Sequence, residues 1–125
     1  MRKFLISITA LVAITAGAVF ADTGPPADVA ALRALQHQLN PSGIIDRVQV
    51  FGNYAMLTWH TNPEGIGSPA FARVSGHKWK RILVGGETEM SSGALIKAGV
   101  PASTARQMCG AWGTPQYPKN SPCMN

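Results

Sequence analysis

Apolar positions along the chain change period three times. After Pro25-Pro26, Val29, Leu32, Leu35 and Leu39 recur at three- and four-residue intervals, with Arg33, Gln36 and His37 between them. That spacing predicts an amphipathic helix of about three turns, which Asn40-Pro41 stops. So short a helix is marginal alone, so its apolar stripe must pack on something. The period then becomes two. Ile44 to Phe51 and Tyr54 to His60 are β-rich runs separated by Gly52-Asn53, a tight-turn signal. In the second run Ala55, Leu57 and Trp59 alternate with Tyr54, Met56, Thr58 and His60.

Thr61 to Pro69 contains Asn62-Pro63-Glu64-Gly65 and Gly67 and reads as a long hairpin loop. Ala70 to Ser75 is a third predicted strand, Gly76-His77 a turn and Lys78 to Val84 a fourth strand, with Trp79, Arg81 and Leu83 alternating against Lys78, Lys80, Ile82 and Val84. Beyond Gly85-Gly86 the pattern is helical again. Ser91 or Ser92 caps a short helix carrying Leu95 and Ile96, and Gly99 ends it. Val100-Pro101 opens another, with Ala102, Ala105 and Met108 on one side. The stretch from Gly110 to Asn125 is rich in Gly, Pro and Asn and predicts no regular structure.

These elements predict an α+β domain: an N-terminal helix on a four-stranded antiparallel meander, followed by short C-terminal helices, all packed on one sheet face. A curved sheet wrapping its first helix, as in cystatin-like folds, is the favoured arrangement.

The N-terminus changes this picture. Arg2-Lys3 precedes an apolar run from Phe4 to Val19, and Val19-Phe20-Ala21 offers small residues for cleavage. A charged start, an apolar stretch and a small-residue exit make residues 1–21 a secretory signal, with 22–125 the exported domain. The apolar run is short for a membrane span, and no Cys at the exit supports lipid attachment. A periplasmic or secreted location follows. Loss of Arg2 and Lys3 lowers the formal charge from +5 to +3. Four of the remaining cations, Arg73, Lys78, Lys80 and Arg81, fall within nine residues. Such a patch attracts anions. Outside the cytoplasm the expected partners are anionic envelope material or another exported protein, and no nucleic acid. Cys109 and Cys123, the only cysteines, predict a disulfide in an oxidising compartment.

Tyr54-Ala55-Met56-Leu57-Thr58-Trp59, then Trp79 leading through Ile82-Leu83 to Gly85-Gly86, then Leu95 and Gly99-Val100-Pro101 with Ala105, resemble a pattern in small uncharacterised bacterial exported proteins. The resemblance spans residues 48–108 and implies shared fold and export. It brings no catalytic residues.

Candidate chemistry is sparse. His37, His60 and His77 lie too far apart for a local ligand pair, so no metal and no cofactor are expected. Met56, Met90, Met108 and Met124 suit core filling better than a soft metal. No Gly-x-Ser-x-Gly elbow is present. Glu87 and Glu89 would share a face of an extended segment, but they also suit a solvated approach to a helix N-terminus. Trp59, Trp79 and Trp112 are expected as core or core cover rather than as ligand platforms. Lys78 and Lys80 should share one strand face, with Arg81 opposite beside Trp79; Arg73 has no face assigned without the register. The alternative for this group is charge that keeps an edge hairpin from aggregating.

The leading functional expectation is therefore a non-enzymatic exported binding domain, with Lys78, Lys80, Arg81, His77 and Arg73 as candidate ligand contacts. The alternatives are a small envelope enzyme drawing acid–base groups from Glu64, Glu87, Glu89, His60 and His77, and an inhibitor of a secreted hydrolase using the 61–69 loop.

Overall fold

A computed structural model describes residues 21–61, 65–85 and 91–112. The predicted signal, residues 1–21, lies outside these but for Ala21, as do Glu64, Glu87, Glu89 and Cys123.

Helix α1 spans Pro26–Leu39 with a proline at its start, where the missing N–H costs no helical hydrogen bond. Strands β1 (Ile44–Phe51), β2 (Tyr54–Thr61), β4 (Ala70–Ser75) and β5 (Lys78–Leu83) follow the alternation of the sequence. Their order is β1-β2-β4-β5, all antiparallel. The 61–69 stretch is not all loop. Gly65–Gly67 forms a short strand, β3, pairing with Trp59, His60 and Thr61 beyond the point where β4 leaves β2. Two glycines in three residues hid this strand, because glycine carries no strand preference of its own. Helices α2 (Ser92–Lys97) and α3 (Ala102–Ala111) complete the domain. Ser91 caps α2, its hydroxyl accepting from the Ala94 N–H at 3.0 Å.

Packing on a single sheet face is corrected. α1 covers one face, with Leu32, Val48, Ala55, Leu57, Phe71 and Trp79 as the core. α2 and α3 cover the other over Met56, Ala70, Leu95, Val100, Ala105, Met108 and Trp112. The strands explain this. On β2, Ala55 and Leu57 face α1 while Met56 and the fully buried Thr58 point to the opposite side. A sheet apolar on both faces must be covered on both.

The α1 stripe holds for three of its four residues: Leu32 is buried and Val29 and Leu35 pack partly buried against the same core, whereas Leu39 is exposed. Asp28 and Gln36 are buried beside Leu32 as well, so an i, i+4, i+8 row with two polar members also meets the sheet. On α3, Ala105 and Met108 are buried as expected, but Ala102 is exposed.

The two sheet edges are finished differently. Along β1, Thr23 adds a parallel bridge beside Gln49: its N–H donates to Val48 O and its carbonyl accepts from Val50 N–H, each at 3.0 Å. Gly24, at φ +126°, turns the chain over Val50, where a Cβ would collide with the valine side chain. Asp22 anchors this strap. Its carboxylate accepts from Val48 N–H at 2.8 Å and from both Nε and Nη2 of Arg33. Along β5 no further strand follows among the described residues.

Candidate functional site

The hairpin β4–β5 carries the basic cluster, and the register decides what each cation does. Arg73 pairs with Trp79, so both lie on the α1 face, and the guanidinium stacks over the indole at 4.5 Å. From there it reaches the first turn of α1. Nη1 and Nη2 donate to the two carboxylate oxygens of Asp28 at 2.9 and 3.0 Å. Nε donates to Asn53 Oδ1, Nη2 to Gly52 O and Nη1 to Gly76 O. A guanidinium has five N–H donors, and here all five have acceptors. Arg73 thus ties α1, the β1–β2 turn and the β4–β5 turn together, with no donor left for an outside anion.

Asp28 is almost completely buried, which only strong partners make tolerable. The Arg73 hydrogen bonds, and next the one from His77, hold its carboxyl down at about 2 against an ordinary 3.8. His77 Nδ1 lies 2.9 Å from Asp28 Oδ1. An ionised carboxylate only accepts, so Nδ1 is the donor, and the rest of the ring is largely exposed. Arg73 and His77, both candidate ligand contacts, are thus engaged within the fold.

Lys78, Lys80 and Arg81 are different. All three are exposed and make no ion pair among the described residues. Lys80 pairs with Ala72 and so shares the α2–α3 face with Tyr54, whose hydroxyl reaches Gly99 O. Arg81 pairs with Phe71 on the α1 face. The cations therefore straddle β5, as alternation predicts. Val84, just beyond the strand, is exposed too.

Every described carboxylate is engaged by a cation or a histidine. Asp22 holds Arg33, Asp28 holds Arg73 and His77, and Asp46 holds His60. The last pair escapes sequence reasoning. A register shift between Ile45 and Arg47 makes a bulge at Asp46, and both its carboxylate oxygens lie 3.0 Å from His60 Nδ1. The only available signal was an Asp inside an apolar run, a residue strands disfavour and bulges accept. No three His, Cys, Asp or Glu side chains gather as a metal site among the described residues.

Trp59 packs partly buried against the α1-side core and Trp112 is buried in the other. The Trp112 indole N–H donates to the Ser68 hydroxyl. Arg47 Nη2 and Gln49 Nε2 donate to Ala111 O, closing the C-terminal end of α3, where positive charge is favoured. Burial lowers the Arg47 pKa from its ordinary value, with the Asp22 charge opposing the shift. Gly85, at φ +69°, passes so close to the Ser68 carbonyl that a Cβ would strike it. Cys109 is buried at the end of α3, and no described cysteine is free.

No family model, curated protein or solved structure shows a significant match to the chain.

Proposed function

We propose that this is a small exported, non-enzymatic binding domain that recognises an anionic partner along the basic edge of β5. One observation carries the reading: the described carboxylates all have internal partners, while Lys78, Lys80 and Arg81 are exposed together on one strand with no partner among the described residues. Among the described residues, Lys97 and Arg106 are also exposed, on the helices. A surface of one sign raises the local concentration of counter-charged partners and speeds their arrival.

Export rests on the signal pattern of residues 1–21, and the Cys109–Cys123 disulfide belongs to the same reading, since an oxidising compartment favours it. Intact mass of the exported protein tests the first, with a chain starting at Asp22 expected.

The binding test is co-sedimentation with vesicles containing an anionic phospholipid, together with retention on an immobilised acidic polypeptide, at low and high salt. Exposed charges are screened over about 8 Å at physiological ionic strength, so binding should weaken as salt rises. Lys78→Glu with Lys80→Glu should weaken it further while circular dichroism stays unchanged. Failure to bind either surface at low salt would remove the reading.

A second reading has its own observation. The Asp46–His60 pair resembles the orienting half of a catalytic dyad, because Nδ1 held by a carboxylate leaves Nε2 as the basic nitrogen. His60→Ala without loss of any hydrolytic activity measured in the purified protein would dismiss it.

A further inference from the structure

The edge of β5, which no described strand covers, narrows the kind of partner that an anion-binding domain would take. Building on the function proposed above, and resting on it, we propose that the anionic partner is an extended acidic peptide, which adds to the sheet as a strand alongside β5.

Three features of the edge argue for a strand rather than a flat charged surface. The first is backbone polarity. Arg73 N–H donates to Asn53 O, so the Arg73 peptide groups turn toward the β1–β2 side. Alternation in antiparallel pairing then directs Ala72 toward β5, makes Ala72–Lys80 the hydrogen-bonded pair, and turns the N–H and C=O of Trp79 and Arg81 outward. Such outward groups are the template for strand addition. At the other edge of the sheet, the chain's own Thr23 already occupies this position beside β1. No described residue does so beside β5.

The second feature is the placement of charge. Lys78 and Lys80 project to one side of the sheet and Arg81 to the other. A planar membrane meets one side at a time. A strand lying alongside β5 presents side chains to both sides, so carboxylates at alternate positions meet the two lysines and one at the position next to the Lys80 partner meets Arg81 on the other side. The third feature is rigidity. Trp79 is buried beneath Arg73, which is locked by its five hydrogen bonds, so the strand is held in place before any partner arrives. Preorganisation of this kind lowers the entropic cost of binding. Six residues of β5 extend over about 20 Å, enough for a segment of comparable length.

The test uses the full exported protein and three probes: a six-residue peptide of glutamate, which carries carboxylates on both sides, the same peptide N-methylated at alternate amides, and vesicles containing an anionic phospholipid. The unmodified peptide is expected to bind and to slow amide hydrogen exchange at Trp79 and Arg81. N-methylation on the pairing side should weaken it about tenfold, because the charge is kept while the backbone donors are lost. Lys78→Glu with Lys80→Glu should also weaken it about tenfold, whereas Lys78→Arg with Lys80→Arg should retain it. Equal binding of the methylated and unmodified peptides would overturn strand addition while leaving the basic edge intact as an anion site. So would binding of the vesicles alone. Binding of no probe would sink both this inference and the function on which it rests.

Discussion

The two edges of the sheet show how one fold treats the same hazard in opposite ways. Beside β1 the strap of Asp22 and Thr23 pairs with the backbone, and Arg33 pins it from α1. Beside β5 the described structure offers side-chain charge instead. A covered edge is closed to partners, while a charged one repels its own copies yet stays open to a ligand of opposite sign. A lysine on an edge strand is thus both a barrier and an address.

The comparison can be broken at several points. The largest effect should come from Trp79→Ala, which empties the site beneath Arg73 and detaches β5 from the α1-side core. Denaturant unfolding should show a loss of about 3–5 kcal/mol. A loss under about 1 kcal/mol would mean that the β5 edge is not held by its core face.

Asp28→Asn comes next. It leaves the Arg73 guanidinium without its carboxylate and should lower the melting temperature at neutral pH. Its pH signature is specific. Asp28 titrates at about 2 in the folded chain against an ordinary 3.8. Its contribution is therefore complete above about pH 4 and is lost as pH falls toward 2. Melting temperature followed from pH 5 to pH 2 should fall in the native protein and fall less in Asp28→Asn.

The β1 edge gives a smaller effect. Asp22→Ala removes the acceptor for Val48 N–H and the partner of Arg33, a half-exposed pair, and should cost about 1 kcal/mol. Hydrogen exchange at Val50, whose amide donates to Thr23, should accelerate in this variant. Unchanged exchange there would show that the strap pairs independently of Asp22.

The smallest stability effect belongs to the β5 edge. Lys78→Glu with Lys80→Glu should stay within about 0.5 kcal/mol of the native protein. Replacing both lysines by valine sharpens the contrast: stability should again change little, but light scattering should reveal self-association through the β5 edge.

Much of the scaffold was legible in the chain, and the reasons are local. Period-two alternation with Gly52-Asn53 and Gly76-His77 located the four long strands, and Pro26 and Asn40 bounded α1. Within the candidate site, alternation alone placed Lys78 and Lys80 opposite Trp79 and Arg81. Arg73 and His77 were legible only as charges. Their partner, Asp28, lies 45 residues from Arg73 and 49 from His77, so no window along the chain contains the network. Asp46 and His60 were hidden in the same way, since the bulge that joins them exists only in the pairing of β1 with β2.

By itself the sequence determined where strands and helices lie, the α+β class and the alternation of charge along β5, because these depend on side-chain period and turn chemistry within a few residues. Tertiary structure alone decided that helices cover both sheet faces, that α1 turns Asp28 and Gln36 inward, and that of the cations in the 73–81 cluster Arg73 becomes an internal tie while Lys78, Lys80 and Arg81 stay at the surface. The physical reason is that burial and ion pairing are set by what arrives from elsewhere in the chain. A guanidinium meeting a buried carboxylate is fixed to it, and the lysines of β5 have no described strand beside them.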